Sequence, residues 1–206
     1  MTEPIISVSG LRGIVGESLT PEVAIRYVCA FAGTLAEGPI VITRDGRTTG
    51  PMMADAVRAG LCAVGRDVID AGIAATPTTG VLIRQHDAAG GIQISASHNP
   101  PAYNGLKLFG KQGRILTAAE GEPVTHRYRD GEMTWVDHSR VGHVVSCMDT
   151  VTEHSDLVMG TVDVDDIRRR RFNVFLDSNH SSSSLLGRHM LDALAVSYTH
   201  LTLPTN

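Results

Sequence analysis

Gly90-Gly91-Ile92-Gln93-Ile94-Ser95-Ala96-Ser97-His98-Asn99-Pro100 is the stretch that decides the fold. Its first half reads as a short strand, bounded by glycines and built on isoleucines. Its second half turns polar at once, with Ser and Asn placed to bond the main chain and Pro100 to stop the element. A strand that empties into a polar loop is how open α/β sheets present their sites, because ligands collect at the carboxyl ends of the strands. Ser97 is the hydroxyl that such a loop would offer.

The flanking sequence alternates β-branched runs with helical patterns, which predicts βαβ units. Ile5 to Val8 reads as a first strand. Thr20-Pro21 supplies a helix cap and a first-turn proline, followed by Val23, Tyr27, Ala30 and Phe31 at helical spacing. Ile40 to Thr43 is a strand ending in Arg44-Asp45-Gly46-Arg47, Pro51 opens a second helix, and Asp67 to Ile73 is the next strand. Thr76-Pro77 starts a short helix through Leu82. Residues 117–130 carry a helical pattern interrupted by Gly121 and Pro123. A helical linker is expected over Met148 to Arg171, then a strand from Phe172 to Asp177 and a helix from Leu185 to Leu194. Trp135 is assigned to the core. Arg168 to Arg171 read as a solvated helix end, with an anion-binding or nuclear-localisation patch as the other reading.

The chain has 206 residues, 42% of them hydrophobic, enough for one domain of about 150 residues plus a remnant. Its net charge of -4 gives no basic footprint for nucleic acid. Cys29, Cys62 and Cys147 are odd in number and scattered, so neither a disulfide framework nor a zinc site is expected. With no leader pattern or long apolar run, the expectation is a cytoplasmic protein without membrane partners.

Phosphoryl chemistry needs an oxygen nucleophile, cations to hold charge and a group to manage a proton. Ser97 supplies the first, Arg12, Arg47, His98 and Lys107 the second, and Lys107 or His98 the third. Taken alone, Ser95 to Pro100 is a strand-to-loop turn, and Ser9-Gly10-Leu11-Arg12-Gly13 is a hairpin-like turn with a solvated arginine; its glycines let the chain turn sharply and free the arginine fork to reach an anion. Asp45 and Arg47 are either a structural ion pair or a direct part of the site. The full run Gly91 to Pro100, with Asn104-Gly105-Leu106-Lys107 after it, is far more restrictive than any turn.

That run resembles the phosphoserine loop of the α-D-phosphohexomutases, the family of phosphoglucomutases, phosphomannomutases and phosphoglucosamine mutases. Ser9 to Gly13 resembles the family's amino-terminal S/T-G-x-R-G signature, and Arg44 to Arg47 its G-x-D-x-R turn. The resemblance spans residues 4 to 195 and implies a three-layer α/β/α domain with a mixed sheet over 1–147, a linker over 148–171, and the start of a second similar domain over 172–196. The last ten residues, 197–206, break the polarity pattern and are expected to be non-native. By the resemblance, Ser97 carries a transferable phosphoryl group and binds Mg2+ through it. Lys107 acts as acid or base, Arg12 orients the phosphoserine, His98 and Asn99 shape the loop, and Asn99, Arg47 and Asn104 bind substrate or phosphate or support the loop. The partner is a phosphorylated hexose, the activator a hexose 1,6-bisphosphate, and the style of Ser7 to Gly16 is nearest to phosphoglucosamine mutases.

The family's D-G-D-x-D-R metal loop, G-E-x-S-G sugar loop and R-x-S-G-T phosphate clamp do not occur in this sequence. The chain is therefore expected to be inactive by itself, with Phe172 to Leu176 exposing an unpaired apolar strand. Asp177-Ser178-Asn179-His180-Ser181-Ser182 has serines where the family has glycines, an expected strain. Two alternatives stay open: a non-catalytic phosphosugar-binding relative, and a serine hydrolase, against which stands the lack of a G-x-S-x-G elbow.

Overall fold

The computed structural model describes residues 3–7, 10–178 and 181–201. Its centre is a seven-stranded mixed sheet in the spatial order β1 (Ile5–Ser7), β2 (Gly10–Ile14), β6 (Tyr103–Gly110), β5 (Gly90–Ile94), β3 (Ile40–Arg44), β4 (Val68–Ile73), β7 (Val144–Ser146). β5, β3, β4 and β7 run parallel; β6 is antiparallel to its neighbours β5 and β2, and β2 to β1.

Alternation of side chains along each strand splits the sheet into two faces. Ile40, Ile42, Ile92, Ile94, Leu106 and Leu108 point to one, where α1 (Pro21–Ala32), α2 (Gly50–Ala63) and α4 (Ala118–Asp130) cover them. Val41, Ala71 and Phe109 point to the other, beneath Leu82 and Ile83 of α3 (Thr76–Gln85). The first face holds the larger core. Tyr27 and Phe31 of α1 are fully buried there, and each such side chain contributes about 1.5–3 kcal/mol by leaving water. Burial also pushes the Tyr27 hydroxyl's pKa up, with Tyr128 of α4 adding to the effect; the two rings meet edge to face at 5.5 Å.

Local chemistry sets the helix ends. Thr20 accepts from the Val23 amide at 3.3 Å ahead of Pro21. The helix α4 forms despite Gly121 and Pro123 because Thr117 and Glu120 make a reciprocal capping box and Gly131 closes the other end in the left-handed region. The bonds from the Thr117 amide and hydroxyl hold the Glu120 carboxyl below its ordinary pKa.

Several expectations are corrected. Gly10 to Gly13 do not form a turn: they lie in β2, paired on both sides between β1 and β6. Ser9 and Val8 fall outside the described residues. Trp135 is 52% exposed rather than core. Residues 148–171, expected to be helical, do hold two helices, α5 (Thr152–Met159) and α6 (Val164–Arg170). The arginine run is absorbed locally: Arg169 and Arg170 pair with Asp166, and Arg168 donates to the Ala193 carbonyl at the end of α7 (Ser183–Ala193). The strand β8 (Asn173–Asp177) is paired along one edge only, running parallel to β9 (Ser197–Leu201) in a two-stranded sheet, and Phe175 remains 76% exposed. Asn179 and His180 lie outside the described residues; Ser182 stands at φ -58, outside the left-handed region, so the expected strain does not arise at that serine. Among the described residues no helix is long and apolar enough to cross a membrane.

The helix α5 docks on α3 through His154, whose Nδ1 lies 2.9 Å from the Thr78 hydroxyl. Burial, with Arg84 second, lowers the His154 pKa from its ordinary 6.5. A depressed histidine favours the neutral ring in the folded state, so its contribution is intact above about pH 6.5 and lost as the pH falls below that value. Amide exchange across α5 should therefore speed up between about pH 6.5 and 5 relative to the intrinsic rate, and His154→Gln should remove that dependence. An unchanged profile in the variant would assign the effect elsewhere.

Candidate active site

The strand β3 leads through α2, on one face, to β4 on one side of it; β4 leads through α3, on the other face, to β5 on the opposite side. The connections thus diverge between the carboxyl ends of β3 and β5, the switch point at which open α/β sheets form their crevice. Asp45 to Arg47 follow β3, and Ser95 to Asn99 follow β5. The two loops face each other there.

Arg47 joins them. Its guanidinium donates from Nη2 to the carbonyls of Ser97 (3.0 Å) and Asn99 (2.7 Å), and from Nη1 to those of Pro100 (2.9 Å) and Tyr103 (3.1 Å). Nε donates to Asp45 Oδ2 at 3.2 Å, and the same carboxylate accepts from the Arg47 amide. Every N–H of the fork is occupied. Arg47 is therefore a clamp on the loop's main chain and is not available to a phosphate. Of the two sequence readings of Asp45 and Arg47, the geometry is that of support.

Within the loop the Ser97 amide donates to Ser95 Oγ at 3.1 Å, and the Asn99 amide and Nδ2 both donate to the Ala96 carbonyl. Ser97 itself stands at φ 57, the left-handed region that a non-glycine residue occupies at a cost. Its side chain and that of His98 are exposed, with Ser97 Oγ 3.4 Å from His98 Nδ1. No carboxylate accompanies His98 among the described residues, so a hydrolase triad is not assembled. Asn104, fully buried, donates from Nδ2 to Thr49 Oγ1 at 3.0 Å and accepts the Gly105 amide. It stitches β6 to the start of α2, and Thr49, which sequence reasoning passed over, is its partner.

Sheet register brings the cations to this loop. Gly10 lies opposite Lys107 and Arg12 opposite Gly105, and opposed residues of an antiparallel pair share a face. Arg12 and Lys107 are thus diagonal neighbours on the face that α3 leaves open at its β2–β6 side. Together with Ser95, Ala96, Ser97 and Gly10 they line a cleft of about 190 Å3. Neither the Arg12 nor the Lys107 side chain has an ion-pair or hydrogen-bond partner among the described residues. Gly105 permits the close approach: a Cβ there would meet the Leu11 carbonyl oxygen at 2.7 Å and that of Ser95 at 3.0 Å.

The family profile described as "Phosphoglucomutase/phosphomannomutase, alpha/beta/alpha domain I" matches residues 4–134. The chain belongs to this phosphohexomutase family. It is 36% identical over 199 residues to the phosphoglucosamine mutase of Parasynechococcus marenigrum, covering 96% of this chain and 42% of that protein. It is also 36% identical over 191 residues to the phosphoglucomutase/phosphomannomutase of Thermococcus kodakarensis, covering 90% and 41%. A Thermus thermophilus structure, provisionally named a phosphomannomutase, superposes with a TM-score of 0.85 at 21% identity over 97% of this chain and 46% of that one. The chain thus spans about two fifths of the length of the phosphohexomutases to which it is matched, and the matched part contains the entire Ser97 cleft.

Proposed function

We propose that this chain is the phosphoserine-bearing part of a phosphohexose mutase, with Ser97 as the phosphoryl carrier. The observation that carries the reading is the convergence of an exposed, left-handed Ser97 with the unpaired cations Arg12 and Lys107 in one cleft at the switch point. A phosphoryl group on Ser97 brings about -1.5 to -2 charges at neutral pH, and Arg12 and Lys107 would offset them. In the forward half-reaction the Ser97 Oγ–phosphorus bond breaks as phosphorus bonds to a hydroxyl oxygen of a hexose monophosphate. The hydroxyl proton passes to whichever of Lys107 and His98 is neutral, and the departing Ser97 Oγ takes up a proton from the other in its charged form. The bound 1,6-bisphosphate then turns around and returns its other phosphoryl group to Ser97. The names of the relatives support a phosphorylated hexosamine as the first substrate to try, and the three scattered thiols, free in the fold, support a cytoplasmic setting.

Magnesium would supply charge neutralisation at the transferring group. The residues here do not make a site for it by themselves, since among the described residues no three His, Cys, Asp or Glu side chains cluster to hold a metal. This chain's contribution to the ion would be the phosphate oxygen on Ser97.

The test is phosphopeptide mapping after incubation with glucose or glucosamine 1,6-bisphosphate. Phosphate on Ser97 supports the reading; binding of the sugar without any covalent phosphate would favour a non-catalytic relative, and labelling by a serine-directed acylating probe a hydrolase. Lys107 has its own test. In a chimaera joining residues 1–195 to the downstream part of the Parasynechococcus marenigrum enzyme, Lys107→Ala should slow turnover by roughly a hundredfold or more, the usual loss for a positioned acid-base group. A variant within about threefold of the parent would remove Lys107 from the reaction, being far short of that loss. The 206-residue chain alone should show no mutase turnover.

A further inference from the structure

The polarity of the sheet face beneath α3 changes row by row toward the cleft. Val41, Gly91 and Phe109 form one row across β3, β5 and β6, and it is apolar. Two residues on, the row is Thr43, Gln93, Lys107 and Gly10. Thr43 and Gln93 are each 1% exposed, and Thr79 of α3, lying over them, is 0% exposed. Burying three polar side chains where Leu, Ile and Phe fill the rows behind is costly unless each is bonded, and here they are. Gln93 Oε1 lies 2.7 Å from Thr43 Oγ1 and 2.6 Å from Thr79 Oγ1, the two hydroxyls are 2.6 Å apart, and Gln93 Nε2 donates to the Ala74 carbonyl at 3.3 Å.

One amide thereby reaches three strand ends and a helix. Ala74 follows β4, and its own amide donates to the Arg44 carbonyl; one residue further, the Asp45 amide donates to the Ile94 carbonyl and the Ser95 amide to the Gly105 carbonyl. These bonds are the last main-chain ties before the Arg47 and Ser97 loops separate. Arg47 fixes the loops from outside the sheet. Nothing else described on the α3 face links β3, β4 and β5 at this level through side chains.

We propose that Gln93, held by Thr43 and Thr79, is a positioning residue that sets the separation of the β3 and β5 ends and so the placement of Ser97 over Lys107. The inference rests on the assignment of the Ser97 loop as the site. It acts through the strand ends, since Gln93 lines no part of the cleft. A core polar cluster with no such role would affect stability alone; a positioning one affects the loop before the rest of the sheet.

The experiment is amide hydrogen exchange on the 206-residue chain under native conditions, comparing the parent with Gln93→Met, which keeps the length and removes the bonds. The expected result is a rise of about tenfold or more in exchange at Asp45, Ser95 and Ser97, with Ile42 and Val57 unchanged, as befits a local opening. Thr79→Val should repeat the loop effect, and Thr79→Ser, which keeps the hydroxyl, should restore parental protection. If Gln93→Met does not fold, the Thr79 pair carries the comparison. Parental protection of the loop in the variants, or a uniform rise at every amide, overturns the proposal. Phosphopeptide mapping on the parent is independent of this outcome, so failure of the site assignment and failure of the positioning role are read separately.

Discussion

Ser97→Ala and Ser97→Gly chains are both expected to take up no phosphate from a hexose 1,6-bisphosphate under conditions that label the parent, and the matching chimaeras should fall to background turnover. The loss is complete because the only group removed from the reaction is the oxygen that forms the bond to phosphorus. The two variants should nonetheless differ in stability. Position 97 sits at φ 57, where the alanine Cβ is strained and glycine has none, a difference of roughly 1 kcal/mol. For a chain of this size the glycine variant should melt about 2–4 °C above the alanine one. Phosphate recovered on Ser95 or elsewhere in either variant would relocate the nucleophile, and equal melting points would show that the left-handed backbone is relaxed in solution.

The second large effect belongs to Arg47. Lysine keeps the charge but offers a single compact ammonium, so Arg47→Lys can satisfy at most part of what the planar fork reaches. The carbonyls of Ser97, Asn99, Pro100 and Tyr103 would lose a shared partner whose side chain is only 16% exposed. Bonds from charged donors are worth about 1.5–3 kcal/mol each and do not add in full. A loss of about 3–5 kcal/mol is expected on that basis, seen in urea unfolding, with label uptake at Ser97 falling by about tenfold or more. If stability drops while labelling is parental, the clamp serves the fold and not the loop.

Much of the fold was legible because the strands that carry the core, β3 and β5, are short isoleucine-rich runs, and the helices α1, α2 and α3 begin at Thr-Pro or Gly-Pro steps. What sequence reasoning lost were β2, β6 and β7. Gly10 and Gly13 in β2, and Gly105 in β6, argue against strand by propensity, yet each is there because neighbouring atoms approach too closely for a Cβ: at Gly10 it would run into the Leu106 carbonyl oxygen. The strand β7 is a three-residue edge, exposed throughout, and carries no alternation to read. The site was legible in its residues and not in its division of labour. Arg12 and Arg47 look alike in sequence, each beside a glycine; only register and hydrogen bonding show that one faces the cleft unpaired while the other is committed to carbonyls. Gln93 passed as an ordinary strand residue because its partners, Thr43 and Thr79, come from a different strand and a helix.

The clamp of Arg47 has a consequence for how this loop can change. It grips main-chain oxygens, which every amino acid carries, so apart from the bonds of Ser95 and Asn99 the loop's path is specified from outside, independently of the side chains at 97 and 98. Shape and chemistry are thereby encoded at separate positions. Residue 98 can be exchanged, and cysteine or aspartate placed at 97, where the left-handed φ of 57 excludes β-branched threonine, without redrawing the backbone that presents them, which makes the loop a fixed mount on which the reacting atom is an interchangeable part.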